Sequence, residues 1–227
     1  YYYLFYLFCG LAVLTKGLIG VLFPACIILL YLMFNRSWHL LSEMNLPGGI
    51  LLLVVVTSPW FILVSQQNPD FAKFFFVHEH FERFLTTAHG RYQPLWFFVP
   101  IFLLTMLPWS FYAFRALWHG LQTRFQGETD PRFFLFIWVT FIFVFFSASH
   151  SKLIPYILPI FPPVAMLIGI MFVRLANGET STTFKAENLS LMVVLTVGAV
   201  GCVIYSWLPS LVPLLVRQGW VPVDNRL

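Results

Sequence analysis

A chain of 227 residues is long enough for one or two soluble domains, but 59% of its residues are hydrophobic and only 10% are charged, with a mean hydropathy of +0.83. Soluble domains carry about 25% charged residues, so a water-soluble domain of useful size is excluded. The net charge of +4 is spread over several short clusters, which makes it topology information and not a nucleic-acid footprint.

No Lys, Arg, Asp or Glu occurs from Leu95 to Phe114 or from Phe133 to Ser151. Each stretch is long enough to cross a hydrocarbon core of about 30 Å as a helix. Both are too long for strands and lack the apolar/polar alternation of a barrel. In chain order, spans are predicted at 1–15, 17–34, 47–66, 95–114, 132–150, 153–173 and 189–211. The expected fold is all-α: a polytopic transmembrane helical bundle of about seven spans, with one long interfacial loop outside the cytoplasm at 67–94. Residues 1–213 form the membrane region in this reading, and 214–227 begin an outer tail or a truncated C-terminal domain. The chain opens at Tyr1 inside an apolar run, without a charged n-region or a small-residue cleavage site, so a signal peptide is not expected. A piece of a longer protein is.

The first notable residue is Lys16, in LAVLTKGLIGVLFP, which interrupts an otherwise uncharged run. An ammonium at that depth is costly unless it snorkels or pairs, so it is a functional candidate. Gly17 and Gly20 beside it allow close approach of backbone or ligand. A lysine that merely marks a helix end is the plain alternative.

The loop NPDFAKFFFVHEHFERFLTTAHGRYQP follows the third span. Phe71, Phe74, Phe75 and His78 repeat at i, i+3, i+4, i+7, which predicts an interfacial helix with its aromatic face toward the membrane. His78 and Glu82 are four apart, a spacing open to a metal. Glu79 and Arg83 are also four apart, and an ordinary surface ion pair explains them equally well. Arg83 and Arg91 carry the planar fork suited to phosphate.

Lys152, in SASHSKLIPYILPIFPP, has the character of Lys16, with His150 before it and Tyr156 four residues after. Counting crossings puts the Lys16 turn, the 67–94 loop and the 149–152 turn on one face. Arg36, Arg115, Arg124, Arg132, Arg174 and Lys185 fall on the other face, against Lys16, Lys73, Arg83, Arg91, Lys152, Arg217 and Arg226. The positive-inside rule therefore does not decide orientation by itself. Asp70, Glu79 and Glu82 offset the loop's basic residues, and Lys16 and Lys152 hug the membrane as site residues would. The Lys16/Lys152 face is accordingly read as the outer one.

Cys9, Cys26 and Cys202 sit in apolar stretches at no metal-ligand spacing and read as small packing residues. There is no Walker loop, GxGxxG or HExxH, so nucleotide hydrolysis and zinc proteolysis lack support.

TKG with GLIGVLFP, SPWFILV, NPDF with FFFVHEHFERFL and HGRYQPLWFF, LPW, and SHSKLIPYILPIFPPVAML occur in that order. Over about residues 10–175 this set resembles the middle and later membrane region of bacterial lipid-linked glycosyltransferases. The type is that of the aminoarabinose transferases and protein mannosyltransferases (GT-C fold, family 39/83). The resemblance implies inverting transfer of a sugar from a polyprenyl phosphate to a lipid A-like or other acceptor. It also implies a multi-pass protein of the bacterial inner membrane, working at its periplasmic face among membrane lipids and without nucleic acid. It sets Lys16 by the donor phosphate, His78 and Arg83 near the same site with a divalent metal associated with the histidine, and Lys152 and Tyr156 facing the cavity. The family's general base is an aspartate upstream of these motifs, which neither Asp70 nor Glu79 matches. The catalytic base is thus unassigned, and the chain is expected to be catalytically incomplete. Two other readings remain: a transporter or flippase of an anionic lipid, and a polyprenyl-phosphate-binding subunit without catalysis. Internal repeats and paired broken helices would favour the transporter, and neither is apparent in the sequence.

Overall fold

The computed structural model describes residues 1–71, 75, 93–107, 109–126, 130–149, 151–178, 192–193 and 195–207, with the backbone alone at 125 and 126. The described residues are helical, and an apolar helix lies in each of the seven predicted places. They are α1 (Tyr2–Lys16), α2 (Ile19–Asn35), α3 (Leu46–Gln67), α4 (Phe98–Thr105), α5 (Ser110–Gln122), α6 (Pro131–Ala148), α7 (Phe161–Ala176) and α8 (Leu195–Trp207), with α4 and α5 sharing one place. Three-residue-per-turn segments at Leu95–Phe97 and Ile154–Ile160 lead into α4 and α7. By length and composition, Leu46–Gln67, Pro131–Ala148 and Ile154–Ala176 can each cross a membrane, and α1, α2 and α8 are shorter apolar helices.

The span predicted at 95–114 is broken in the structure. It is two helices, Leu95–Thr105 and Ser110–Gln122, bent by 116°. Its ends still lie at opposite ends of α6. The carbonyl of Gln93 accepts from Lys152, just beyond the C-terminus of α6. At the other end, a methyl group on Gly120 would lie 3.1 Å from the carbonyl oxygen of Arg132, in the first turn of α6. Eighteen helical residues separate those ends by about 27 Å. The segment is therefore a broken crossing and not a re-entrant loop, and the order of inner and outer connections is unchanged.

Small residues let the first helices meet closely, as is common where lipid supplies no hydrophobic contrast. α1 and α3 run parallel, with Gly49 seated on the ring of Tyr6 and Gly10 against Val56. Tyr6 donates to the carbonyl of Met44 at 3.0 Å, and Asn45 donates to the Tyr3 hydroxyl at 2.6 Å, which fixes their register. Gly17 at φ 84° turns the chain from α1 into α2, a conformation that suits glycine. α2 runs antiparallel to α6 through a ladder of rings: Phe23 on Phe141, Phe145 and Phe146, and Tyr31 and Phe34 on Phe133. Phe98, Ala113, Ile160 and Val164 are fully buried where α4, α5, α6 and α7 converge. Asp130 caps α6 by accepting from the Arg132 amide at 2.7 Å.

Candidate functional site

The helix pairings carry the chemistry-bearing connections to one end of the molecule. Because α2 and α6 are antiparallel, the Lys16–Leu18 turn lies at the same end as the 149–152 turn. Because α1 and α3 are parallel, Gln67 and the start of the following loop lie there too. Phe71 and Phe75 stack at 5.4 Å and pack on Trp60 and Phe61 near the end of α3, with the i, i+4 period of the predicted loop helix. The far end of that loop returns at Gln93, beside Lys152. The shared face predicted for Lys16, the loop and Lys152 is thereby confirmed for the described residues. His78, Arg83, Arg91 and His150 lie outside the described residues.

Lys152 is the most distinctive group at this end. Its side chain is only 4% exposed, and its ammonium donates to the carbonyl of Gln93 at 2.9 Å and to that of Ser149 at 2.5 Å. An ammonium has three donors, and carbonyl dipoles do not neutralise its charge. The described residues give it no carboxylate. Burial pushes its pKa below the ordinary lysine value. Such a group is poised for an anion, which would restore the charge balance that burial removed.

Three serines precede it at alternate positions. Ser149 is buried and donates to the carbonyl of Ser151 at 3.1 Å, while the hydroxyls of Ser147 and Ser151 are buried and have no hydrogen-bond partner among the described residues. Unpaired buried hydroxyls are costly and uncommon, so each calls for an explanation. Sequence reasoning passed over these serines and Gln93. The signal for the serines was their alternation in SASHSK directly after a Phe-rich run; Gln93 carried none.

Lys16 differs from Lys152. It is exposed at the last turn of α1, where a cation complements the helix dipole. Tyr156 is partly buried in the Ile154–Ile160 segment, with its ring 5.0 Å from that of Phe146. Among the described residues no group of three or more His, Cys, Asp or Glu could hold a metal. His78 and Glu82, whose spacing raised the metal reading, lie outside the described residues.

An apolar groove of about 480 Å³ runs between α2 and α6. It starts at Ala148, adjacent to Ser149, passes Phe145, Phe141 and Leu30, and ends where Arg124 lies 4.8 Å over the ring of Phe34. The Ala148 end of the groove therefore lies on the same side of the bundle as Lys152, which does not itself line it.

No family model matches the chain. It is 36% identical over 201 residues to undecaprenyl phosphate-alpha-4-amino-4-deoxy-L-arabinose arabinosyl transferase 1 of Proteus mirabilis, an alignment covering 88% of this chain and 35% of that protein. The corresponding transferase of Aeromonas hydrophila is 36% identical over 82% of the chain and 34% of its own length. In structure the chain is similar to ArnT from Cupriavidus metallidurans crystallised with undecaprenyl phosphate, with a TM-score of 0.73 at 34% identity, covering 86% of this chain and 34% of that one. The chain spans about a third of the length of the curated relatives it matches.

Proposed function

We infer that this chain, which belongs to the GT-C family of bacterial lipid-linked glycosyltransferases of the aminoarabinose transferase type, forms the donor-phosphate wall of such an enzyme. The donor is a polyprenyl phosphate sugar, and the acceptor is a lipid A-like or other molecule at the periplasmic face of the inner membrane. The observation that carries this reading is the buried Lys152 ammonium, held by two carbonyls and no carboxylate among the described residues, at the same end as the Lys16 turn.

In an inverting transfer, the acceptor oxygen attacks the anomeric carbon opposite the donor phosphate. The anomeric C–O bond breaks, and its electron pair passes to the departing phosphate oxygen. The acceptor proton goes to a carboxylate base, which we place in the part of the relatives' length that this chain does not span. Negative charge grows on the phosphate as the bond breaks. Lys152, already desolvated and fixed in place, meets that charge without reorganisation, where electrostatic stabilisation is largest. Lys16 and Arg83 add charge from the two neighbouring connections, and the Ser147 and Ser151 hydroxyls supply donors to phosphate oxygens. The groove starting at Ala148 takes the first part of the polyprenyl tail.

The test uses the full-length protein in vesicles supplied with lipid-linked sugar. Lys152→Met removes the charge at similar length, and Lys152→Arg keeps it. Loss of both undecaprenyl phosphate binding and transfer in the first, with partial retention in the second, is expected. Unchanged transfer by Lys152→Met would overturn the assignment.

A further inference from the structure

Backbone contacts that need glycine hold the turn in which Lys16 stands. Gly17, directly after it, has φ 84° and ψ −161°, a region of backbone space essentially reserved for glycine. Its amide donates to the carbonyl of Val13 at 2.9 Å, and its carbonyl accepts from the amide of Gly20 at 2.9 Å, so the turn is tied to both helices. Gly20, in the first turn of α2, then lies on the main chain of α1. A methyl group there would fall 2.6 Å from the carbonyl carbon of Ala12 and 2.6 Å from the amide nitrogen of Val13. Those atoms belong to the turn of α1 that ends in Lys16. Unlike the tip of a flexible side chain, they yield only if the two helices part.

One turn further along α2, Phe23 is buried and sets its ring edge-on to those of Phe141, Phe145 and Phe146, with centroids 5.5, 4.9 and 5.5 Å away. These rings fix the start of α2 to the last turns of α6, which lead into the Lys152 turn. The two lysines of this end are thus joined by an unbroken series of contacts, from Lys16 through the turn and Gly20 to α2, and through Phe23 to α6 and Lys152. A side chain at position 20 would force α1 and α2 apart. The ring cluster keeps α2 with α6, so the shift falls on the last turn of α1 and on Lys16. Displacements of about 1 Å are enough to cost a preorganised site much of its effect.

We propose that Gly20 is a positioning residue for the donor phosphate: by seating α2 on the main chain of α1, it sets where the Lys16 ammonium stands relative to that of Lys152. This rests on the reading of Lys16 and Lys152 as donor-phosphate groups. It adds a residue that acts through Lys16 and not on the donor itself. A glycine that served packing alone would lower stability when replaced, and its loss would be indifferent to what stands at position 16.

The experiment is a double-mutant cycle on the full-length protein in nanodiscs, read as affinity for undecaprenyl phosphate, with a thermal melt of every variant. Lys16→Met should weaken binding about fivefold, the contribution of one basic residue near an anionic headgroup. Gly20→Ala should weaken it by a similar factor, and the double variant no further, because the ammonium that Gly20 places is already gone. Lys16→Arg, which keeps the charge on a longer side chain, should recover affinity in the Gly20→Ala background without raising its melting temperature. Gly17→Ala strains the turn through its own backbone and goes through the same cycle, so the outcome does not depend on the folding of Gly20→Ala. Unchanged affinity in the glycine variants, or losses that add to that of Lys16→Met, would overturn the proposal and leave the Lys16 assignment standing. So would a loss that follows the melting temperature and that Lys16→Arg does not relieve. Unchanged affinity in Lys16→Met would instead overturn the donor-phosphate reading of Lys16, and the role of Gly20 with it.

Discussion

The Lys152 ammonium donates to the carbonyl oxygen of Gln93 across 59 residues of sequence, joining the entry to the broken fourth crossing with the turn that ends the fifth. This bond does two things at once. It closes the long loop at its downstream end, and it holds a buried positive charge at the end of the bundle where the apolar groove reaches Ala148. Replacing Lys152 by Met should therefore affect both binding and chemistry. Loss of one charged donor from a preorganised site costs about 100-fold or more in kcat. Steady-state transfer by Lys152→Met, with Lys152→Arg as the charge-retaining control, checks this. Lys16→Ala and Arg83→Ala are expected to abolish transfer while leaving membrane insertion intact.

Opposite pH responses are expected from the free and the occupied site. Burial lowers the Lys152 pKa, so between that value and the ordinary one of about 10.4 the unfolded chain binds more protons than the folded one. Stability of the ligand-free protein should then rise with pH across that window. A bound phosphate favours the charged ammonium, so affinity for undecaprenyl phosphate should fall as pH rises through the lowered pKa. Melting temperature and lipid affinity measured over the same alkaline series should diverge in the wild type. In Lys152→Arg, whose guanidinium stays charged, neither should show this dependence.

The sidedness of the protein was legible in the sequence, because charges that a membrane cannot hold mark every connection. Lys16 and Lys152 were placed on one face by counting crossings, and the ring ladder between α2 and α6 bears this out. What separated the two lysines was not legible. Each stands as a lone cation beside an apolar run, yet Lys16 is exposed and Lys152 buried. The difference comes from Gln93, a partner brought in by tertiary packing, and no local pattern encodes it. The break in the fourth crossing was hidden for a related reason. Leu95–Phe114 carries no charge, and the helix breaks between Thr105 and Ser110 without any interruption in the hydropathy.

A metal associated with His78 makes a separate prediction. If one takes part in donor binding, chelation and His78→Ala should each lower transfer in the full-length protein, and the variant should no longer respond to the chelator. Transfer unaffected by either would leave the histidine a structural role in the loop.

The contact between α1 and α3 is tightest at Gly49. A methyl group on Gly49 would fall 2.1 Å from a ring carbon of Tyr6, whose hydroxyl is already tied to Met44. The ring cannot swing away without losing that bond. Gly49→Ala should cost about 2 kcal/mol through overpacking, read as a lowered melting temperature in detergent. Gly169→Ala, in α7 with open space at its Cβ, should be neutral or slightly stabilising through better helix propensity.

Asp130 offers a test of the opposite end that separates charge from capping. Burial works to raise its pKa, but the side-chain and backbone hydrogen bonds from Arg132, and that residue's charge, outweigh burial and hold the carboxyl below the usual range. A depressed folded-state pKa means that its stabilising contribution is complete above the unfolded value of about 3.9 and is lost as pH falls through the folded one. Asp130→Ala, which removes both cap and charge, should cost about 1 kcal/mol at neutral pH. Asp130→Asn keeps a cap-competent side chain and should cost less. The gap between Asp130→Asn and wild type should close on acidification, because protonation takes the wild type to a similarly uncharged side chain. Thermal melts of the two proteins at neutral and acidic pH check this.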